Sequence, residues 1–216
     1  VTAVIDVHAP HEPVLNWRDF FIHLITITIG LLIALSLEGC VEWEHHRHLV
    51  HDAEASLHSE IKNNEEAMPA ALSRLHDEQG VLKQDIAAIR YIRTHGISKG
   101  QSINLSFAIH RFEDVGWKTA QSTGAFSYMP YGIAEEYSNI YGGQGELDGE
   151  EQQAARDITL ALASLLNHDE KWDLTPAECD TVEGRIETLQ AQLLLVDTFM
   201  KDVEGDYQKF LAANPQ

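Results

Sequence analysis

Between Phe20 and Leu37 the chain runs for eighteen residues without Asp, Glu, Lys or Arg. As an α-helix that run is about 27 Å long, close to the roughly 30 Å of a bilayer's hydrocarbon core. Trp17 and Trp43 flank it, where interfacial aromatic anchors collect. Such a run folds either as a membrane span or as a helix buried in a soluble core, and the flanking tryptophans favour the span. The expected architecture is all-α: one N-terminal transmembrane helix continuing into an extramembrane helical bundle with a coiled-coil-like C-terminal helix.

The span is uneven around its circumference. At about 100° per residue, His23, Thr26, Gly30, Ala34, Leu37 and Glu38 share one sector. Thr26, Gly30 and Ala34 form a small-residue row at i, i+4 and i+8, the kind that lets a second helix approach closely in lipid. His23, Thr26, Gly30, Ala34 and Glu38 are therefore the expected helix-docking face. Leu24, Ile25, Ile29, Leu31, Leu32 and Leu35 suit acyl chains. Thr28 and Ser36, off the row, are expected to bond carbonyls of their own helix.

Three regions follow: an extended tail at 1–18, a membrane helix at 19–42 and an acidic helical domain at 43–216. The tail holds Pro10 and Pro13 but neither the basic n-region nor the small-residue cleavage site of a signal peptide. Arg18 before the span balances Arg47 after it, so orientation rests on the ability of a large following domain to translocate, which favours that domain on the outer side. From Glu42 onward 30 Asp/Glu oppose 14 Lys/Arg, a formal charge of −16. That excess argues against nucleic acid and against a broad anionic lipid surface. Cys40 and Cys179 are too few for a disulfide framework.

Within the acidic domain, Val50, Ala53, Leu57, Ile61, Asn64 and Met68 repeat at three and four, and Pro69 marks an expected boundary or kink. Leu72, Leu75, Gln79, Leu82, Ile86 and Ile89 give a second helix ending near Gly96. An aromatic and Gly-rich insert spans about 97–147. Its start alternates, with Ile103, Leu105, Phe107 and Ile109 on one side, as in a short strand or extended arm. Phe107 to Gly143 holds eight of the 17 aromatics; these are expected to fill gaps between helices. Gly142, Gly143 and Gly145 are expected to end a helix, and Asp148 with Glu151 to cap the next. Thr175, Pro176 and Glu178 make a second capping box. Beyond it Val182, Ile186, Leu189, Leu193, Val196, Met200, Val203, Tyr207 and Phe210 recur as a heptad seam. About four long helices are expected. The seam from Val182 to Val203 could serve the bundle or self-association, which leaves a homo-oligomer open.

Two histidine features bear on cofactors. His45, His48, His51 and His58, interleaved with Glu44 and Glu54, include i, i+4 pairs that suit one metal on one helix face. A headgroup-level belt of imidazoles is the simpler account. His23 lies inside the apolar run, where an ionisable side chain is a functional candidate by default. It could ligate a metal or tetrapyrrole, or bond a neighbouring helix. No cofactor is required by the sequence. No GxSxG, phosphate-binding glycine loop, HExxH or Cys/His nucleophile arrangement occurs, so catalysis is not expected.

PHEPVLNWRDFFIH followed by IGLLIALSLEGCVEWEHHRH resembles a group of uncharacterised single-pass bacterial membrane proteins, and the stretch from Trp117 to Tyr141 is similar as well. The resemblance implies a bacterial inner-membrane span followed by a helical domain, and no activity. The function expected is a non-catalytic accessory subunit that docks on other integral membrane proteins of a larger complex, respiratory or photosynthetic. The alternatives are a metal- or tetrapyrrole-binding subunit and a self-associating anchor or sensor.

Overall fold

A computed structural model describes residues 16–96, 102–166 and 174–215. The chain is all-α. α1 runs Trp17–His95, α2 Val115–Ser122, α3 Tyr131–Ala163 and α4 Pro176–Ala213, with a 3-10 turn at Ala125–Ser127. The chain divides between Leu49 and Val50 into two compact units.

In the first unit every described side chain from Phe20 to Leu37 is exposed. Among the described residues this is the one helix long and apolar enough to cross a membrane, with mean hydropathy 2.4 over its best 18-residue window and none of that window buried. Thr28 donates to Leu24 O at 2.7 Å and Ser36 to Leu32 O at 2.7 Å, as expected; Thr26 does the same to Ile22 O at 2.8 Å. These bonds satisfy each hydroxyl without a second helix. The helix starts at Trp17, so Trp17 and Arg18 belong to α1 and not to the tail. Residues 1–15 lie outside the described residues.

Among the described residues the second unit packs three long helices, α1, α3 and α4, with the short α2, where about four long ones were expected. α1 and α4 are antiparallel in strict register: His58 meets Asn214, His76 meets Asp197, Gln79 meets Leu193 and Arg93 meets Asp180. α3 is antiparallel to α4 as well, with Gln144 against Tyr207 and Glu150 against Gln192. The boundary expected at Pro69 is absent, because α1 runs through it. Leu57, Ile61, Asn64, Met68, Ala71 and Leu75 keep one buried face on both sides of the proline, while Pro69 itself is exposed. A proline inside a helix costs about 3 kcal/mol. Burying each large apolar neighbour is worth about 1.5–3 kcal/mol, so continued packing wins.

The same competition overturns the expected break at Gly142–Gly145. Tyr137, Tyr141, Gln144, Leu147, Glu151, Ala154, Ile158 and Ala161 keep one buried stripe through the glycines, and α3 does not stop. Asp148 and Glu151 are consequently mid-helix and form no capping box; Asp148 accepts from Gln152 at 2.7 Å. The other box is present. Glu178 Oε2 accepts the Thr175 N–H at 2.8 Å and Thr175 Oγ1 accepts the Glu178 N–H at 3.3 Å, with Pro176 in the first turn. The α4 seam from Val182 to Phe210 is buried throughout.

Residues 102–114 carry no helix or strand. Their backbone donors go to acidic side chains instead of to a second strand. Asp85 accepts Asn104 N–H at 2.8 Å, Glu78 accepts Ala108 N–H at 3.0 Å and Glu151 accepts His110 N–H at 3.2 Å. Asn64 Oδ1 accepts Glu113 N–H at 2.7 Å. The arm thus lies along α1, held by side chains of α1 and α3. Ile103, Leu105 and Phe107 are half-buried as expected, but Ile109 is exposed and His110 is buried in its place. The alternation shifts there because His110 reaches Glu151 with both its backbone and its ring.

Candidate functional site

The arm, α2 and α3 line a half-open cavity of about 590 Å³. One wall is aromatic. Trp117 stacks on Tyr141 with ring centroids 4.8 Å apart and planes 9° from parallel, and Phe126 meets Trp117 edge-on at 4.8 Å. α2 holds Trp117 there because Glu60 anchors the start of that helix. Its carboxylate accepts the Gly116 N–H at 2.6 Å, the Trp117 N–H at 3.3 Å and the Tyr141 hydroxyl at 2.6 Å. Asp114, at the N-cap, makes no side-chain cap bond, so a carboxylate on another helix satisfies these first donors. Burial, the Glu60 hydrogen bond and the Glu60 charge hold the Tyr141 phenol protonated far above its ordinary range.

Beside this wall runs a satisfied polar spine. Tyr207 donates to Gln144 Oε1 at 2.7 Å, and Gln144 Nε2 and Asn64 Nδ2 both donate to Glu113 O, at 3.0 and 2.8 Å. Burial pushes the Tyr207 hydroxyl upward, keeping it a donor. These groups fix the arm and are fully used by it.

The opposite wall is unlike the spine. His110 and Glu151 are buried, and His110 Nδ1 lies 3.2 Å from Glu151 Oε1. His110 Nε2 and Glu151 Oε2 have no hydrogen-bond partner among the described residues. Glu78 lies near enough to feel both charges, and its own Oε2 is unpartnered too. Burial raises the Glu78 carboxyl above the ordinary range, against the lowering effect of the Ala108 N–H and of His110. The lining of the cavity carries both signs of charge, with Arg111 and Lys118 beside Asp114 and Asp148.

The residues singled out in the sequence lie elsewhere. His23, Thr26, Gly30, Ala34 and Glu38 are exposed on α1, and a methyl group placed on Gly30 would touch nothing among the described residues. Trp17 and Trp43 are exposed; Trp17 meets the Phe20 and Phe21 rings, and Arg47 lies 5.5 Å above the Trp43 ring. His48 pairs with Glu44 at 2.9 Å, and His51 lies 3.5 Å from Asp52. His58 is tied to Asn214 O at 2.8 Å. Among the described residues no three His, Cys, Asp or Glu side chains gather closely enough to hold a metal ion, and the structure does not bring His45, His48, His51, His58, Glu44 and Glu54 into one centre. Val182, Ile186, Leu189, Leu193, Val196, Met200 and Val203 are buried in the interior of the bundle.

Sequence reasoning missed His110 as a buried group and gave Glu151 only a capping role. The one available signal was the heptad phase of α3, which puts Glu151 on the same face as Tyr141, Gln144 and Leu147. The chain matches no protein-family model, no curated protein and no solved structure.

Proposed function

We propose that this chain is a non-catalytic, single-pass accessory protein of the bacterial inner membrane, with its acidic domain on the periplasmic side, that works by docking on other integral membrane proteins. The observation that carries the reading is the bare apolar helix: from Phe20 to Leu37 nothing among the described residues covers the apolar side chains. In water that surface is untenable, since each large apolar side chain left exposed forgoes about 1.5–3 kcal/mol. Lipid covers most of it. The Thr26–Gly30–Ala34 row offers lipid little and a second helix a close approach.

The partner is a larger membrane complex, respiratory or photosynthetic, and the domain's negative charge favours a basic surface beside it. The test is copurification from gently solubilised native membranes. The full chain is expected to resist alkaline extraction and to bring partner subunits with it. Gly30→Ile should lose those partners while staying in the membrane fraction, because nothing among the described residues meets that position. Unchanged copurification of the variant would count against the docking face, and extraction of the wild-type chain by alkali would count against the span.

A further inference from the structure

We propose that the arm, residues 102–114, is a proton-fastened strap, held on the bundle while the carboxyls beneath it are neutral and released as they ionise. The apolar helix and its docking play no part in this argument.

The arm has no helix or strand of its own, so its hold depends on the side chains that accept its N–H groups. Carboxylates take three of these, with Asp85 on Asn104, Glu78 on Ala108 and Glu151 on His110. Among the described residues four buried side-chain nitrogen or oxygen atoms lack a hydrogen-bond partner, and all four belong to this fastening. They are Glu78 Oε2, Asp85 Oδ2, Glu151 Oε2 and His110 Nε2. The rest of the bundle meets its buried polar side chains; the arm's attachment alone leaves some unmet.

That pattern makes the attachment depend on protons. A neutral carboxyl still offers an oxygen to the arm's N–H. An ionised one also places charge on a sealed oxygen that no donor reaches, a cost that water removes once the arm lifts away. Burial accordingly raises both Glu78 and Asp85 above the ordinary carboxylate range. The proton is thus bound more tightly with the arm in place than with it free. The hold is full below the ordinary range and is lost as pH rises through the raised values.

The surrounding charges do not reverse this sign. Glu78 faces His110 on the arm, Glu151 on α3 and, most weakly, the exposed Arg74 on α1. Around Asp85 burial is opposed only by the Asn104 N–H. Among the described residues α4 contributes no charge that acts on either group. Arg111, beside His110, is exposed. A protonated His110 ring, 3.2 Å from Glu151, offsets both glutamates, and a neutral ring leaves them opposed, so its proton acts in the same direction. Release would expose Ile103, Leu105 and Phe107, which are half-buried on the fastened arm.

The test is amide hydrogen exchange of the full chain in detergent micelles, followed by mass spectrometry at pH 5 and pH 8 and corrected for the intrinsic rate. Protection of the arm should fall by about tenfold or more at pH 8, while that of α4 between Val182 and Phe210 holds. The double variant Glu78→Gln, Asp85→Asn keeps an acceptor at each site and should lose most of the difference. Asp77→Asn, at an exposed position on α1, should retain it. If the double variant fails to fold by circular dichroism, Asp85→Asn alone decides, read at Asn104. Equal protection of the wild-type arm at both pH values would overturn the proposal. So would a parallel fall in α4, which marks general loosening, an undiminished difference in the deciding variant, or an equal loss in Asp77→Asn.

Discussion

The Glu60 carboxylate lies 2.6 Å from the backbone nitrogen of Gly116, so a side chain on α1 completes the first turn of α2. The contact is close because Gly116 has no side chain. A Cβ there would meet Ser56 Oγ at 2.8 Å and Glu60 Oε2 at 3.2 Å. Ser56 is exposed and can turn away, but Glu60 is buried and cannot. Gly116→Ala should therefore cost about 1–3 kcal/mol through overpacking. Glu60→Ala should cost at least as much, since it strands the Gly116 and Trp117 donors and the Tyr141 hydroxyl. Thermal unfolding followed by circular dichroism measures both, and the intrinsic fluorescence of Trp117 should change in each variant.

Gly142 behaves oppositely. It lies inside α3 on an exposed face, and a Cβ there would meet nothing. Glycine in a helix interior is about 0.5–1 kcal/mol worse than alanine. Gly142→Ala should raise the unfolding midpoint by a few degrees. A lowered midpoint would mean that α3 is interrupted there.

Asp85 sets a pH dependence. Burial raises its carboxyl above the ordinary range, only partly offset by the Asn104 N–H, and one of its oxygens has no partner among the described residues. A raised carboxyl binds its proton more tightly folded than unfolded. Its contribution to stability is thus present below the ordinary carboxylate range and is lost as pH rises through the folded value. Glu78 acts in the same direction. Asp197 acts in the other. Burial raises it, but hydrogen bonds from Lys201 and His76 outweigh that and hold it low, so its contribution is lost only in stronger acid. Asp85→Asn should be at least as stable as the wild type at pH 8, with a smaller stability difference between pH 8 and pH 5. Unfolding midpoints at the two pH values test this, and a variant clearly weaker at pH 8 would contradict it.

Leu189 separates an internal seam from an oligomeric one. It is fully buried within the bundle. Leu189→Ala should cost about 2–5 kcal/mol and leave the mass of the detergent-solubilised particle unchanged. A change in mass without loss of stability would place the seam between chains.

These comparisons show which parts of the fold the sequence encodes locally. The long apolar helix, the hydroxyl bonds of Thr28 and Ser36, the Thr175–Glu178 box and the α4 heptads depend on neighbours within one or two turns, and all are present as read. Pro69 and Gly142–Gly145 looked like stops because propensity is also local. Tertiary burial on either side overrode it, and the evidence lay in the unbroken phase of the apolar positions. The arm was legible as alternation only up to Phe107. Beyond that its course follows from Glu151, 41 residues further on from His110, a pairing that no local pattern announces. The cavity was invisible for the same reason, since its two walls come from Trp117 on α2 and Glu151 on α3.

The docking reading is tested most directly by photo-crosslinking inside the native membrane. A photoreactive side chain is placed in turn at Ala34, on the small-residue row, and at Leu32, on the far side of the same helix. Protein adducts from Ala34 with lipid adducts alone from Leu32 are the predicted result. Lipid adducts alone from both positions would contradict it.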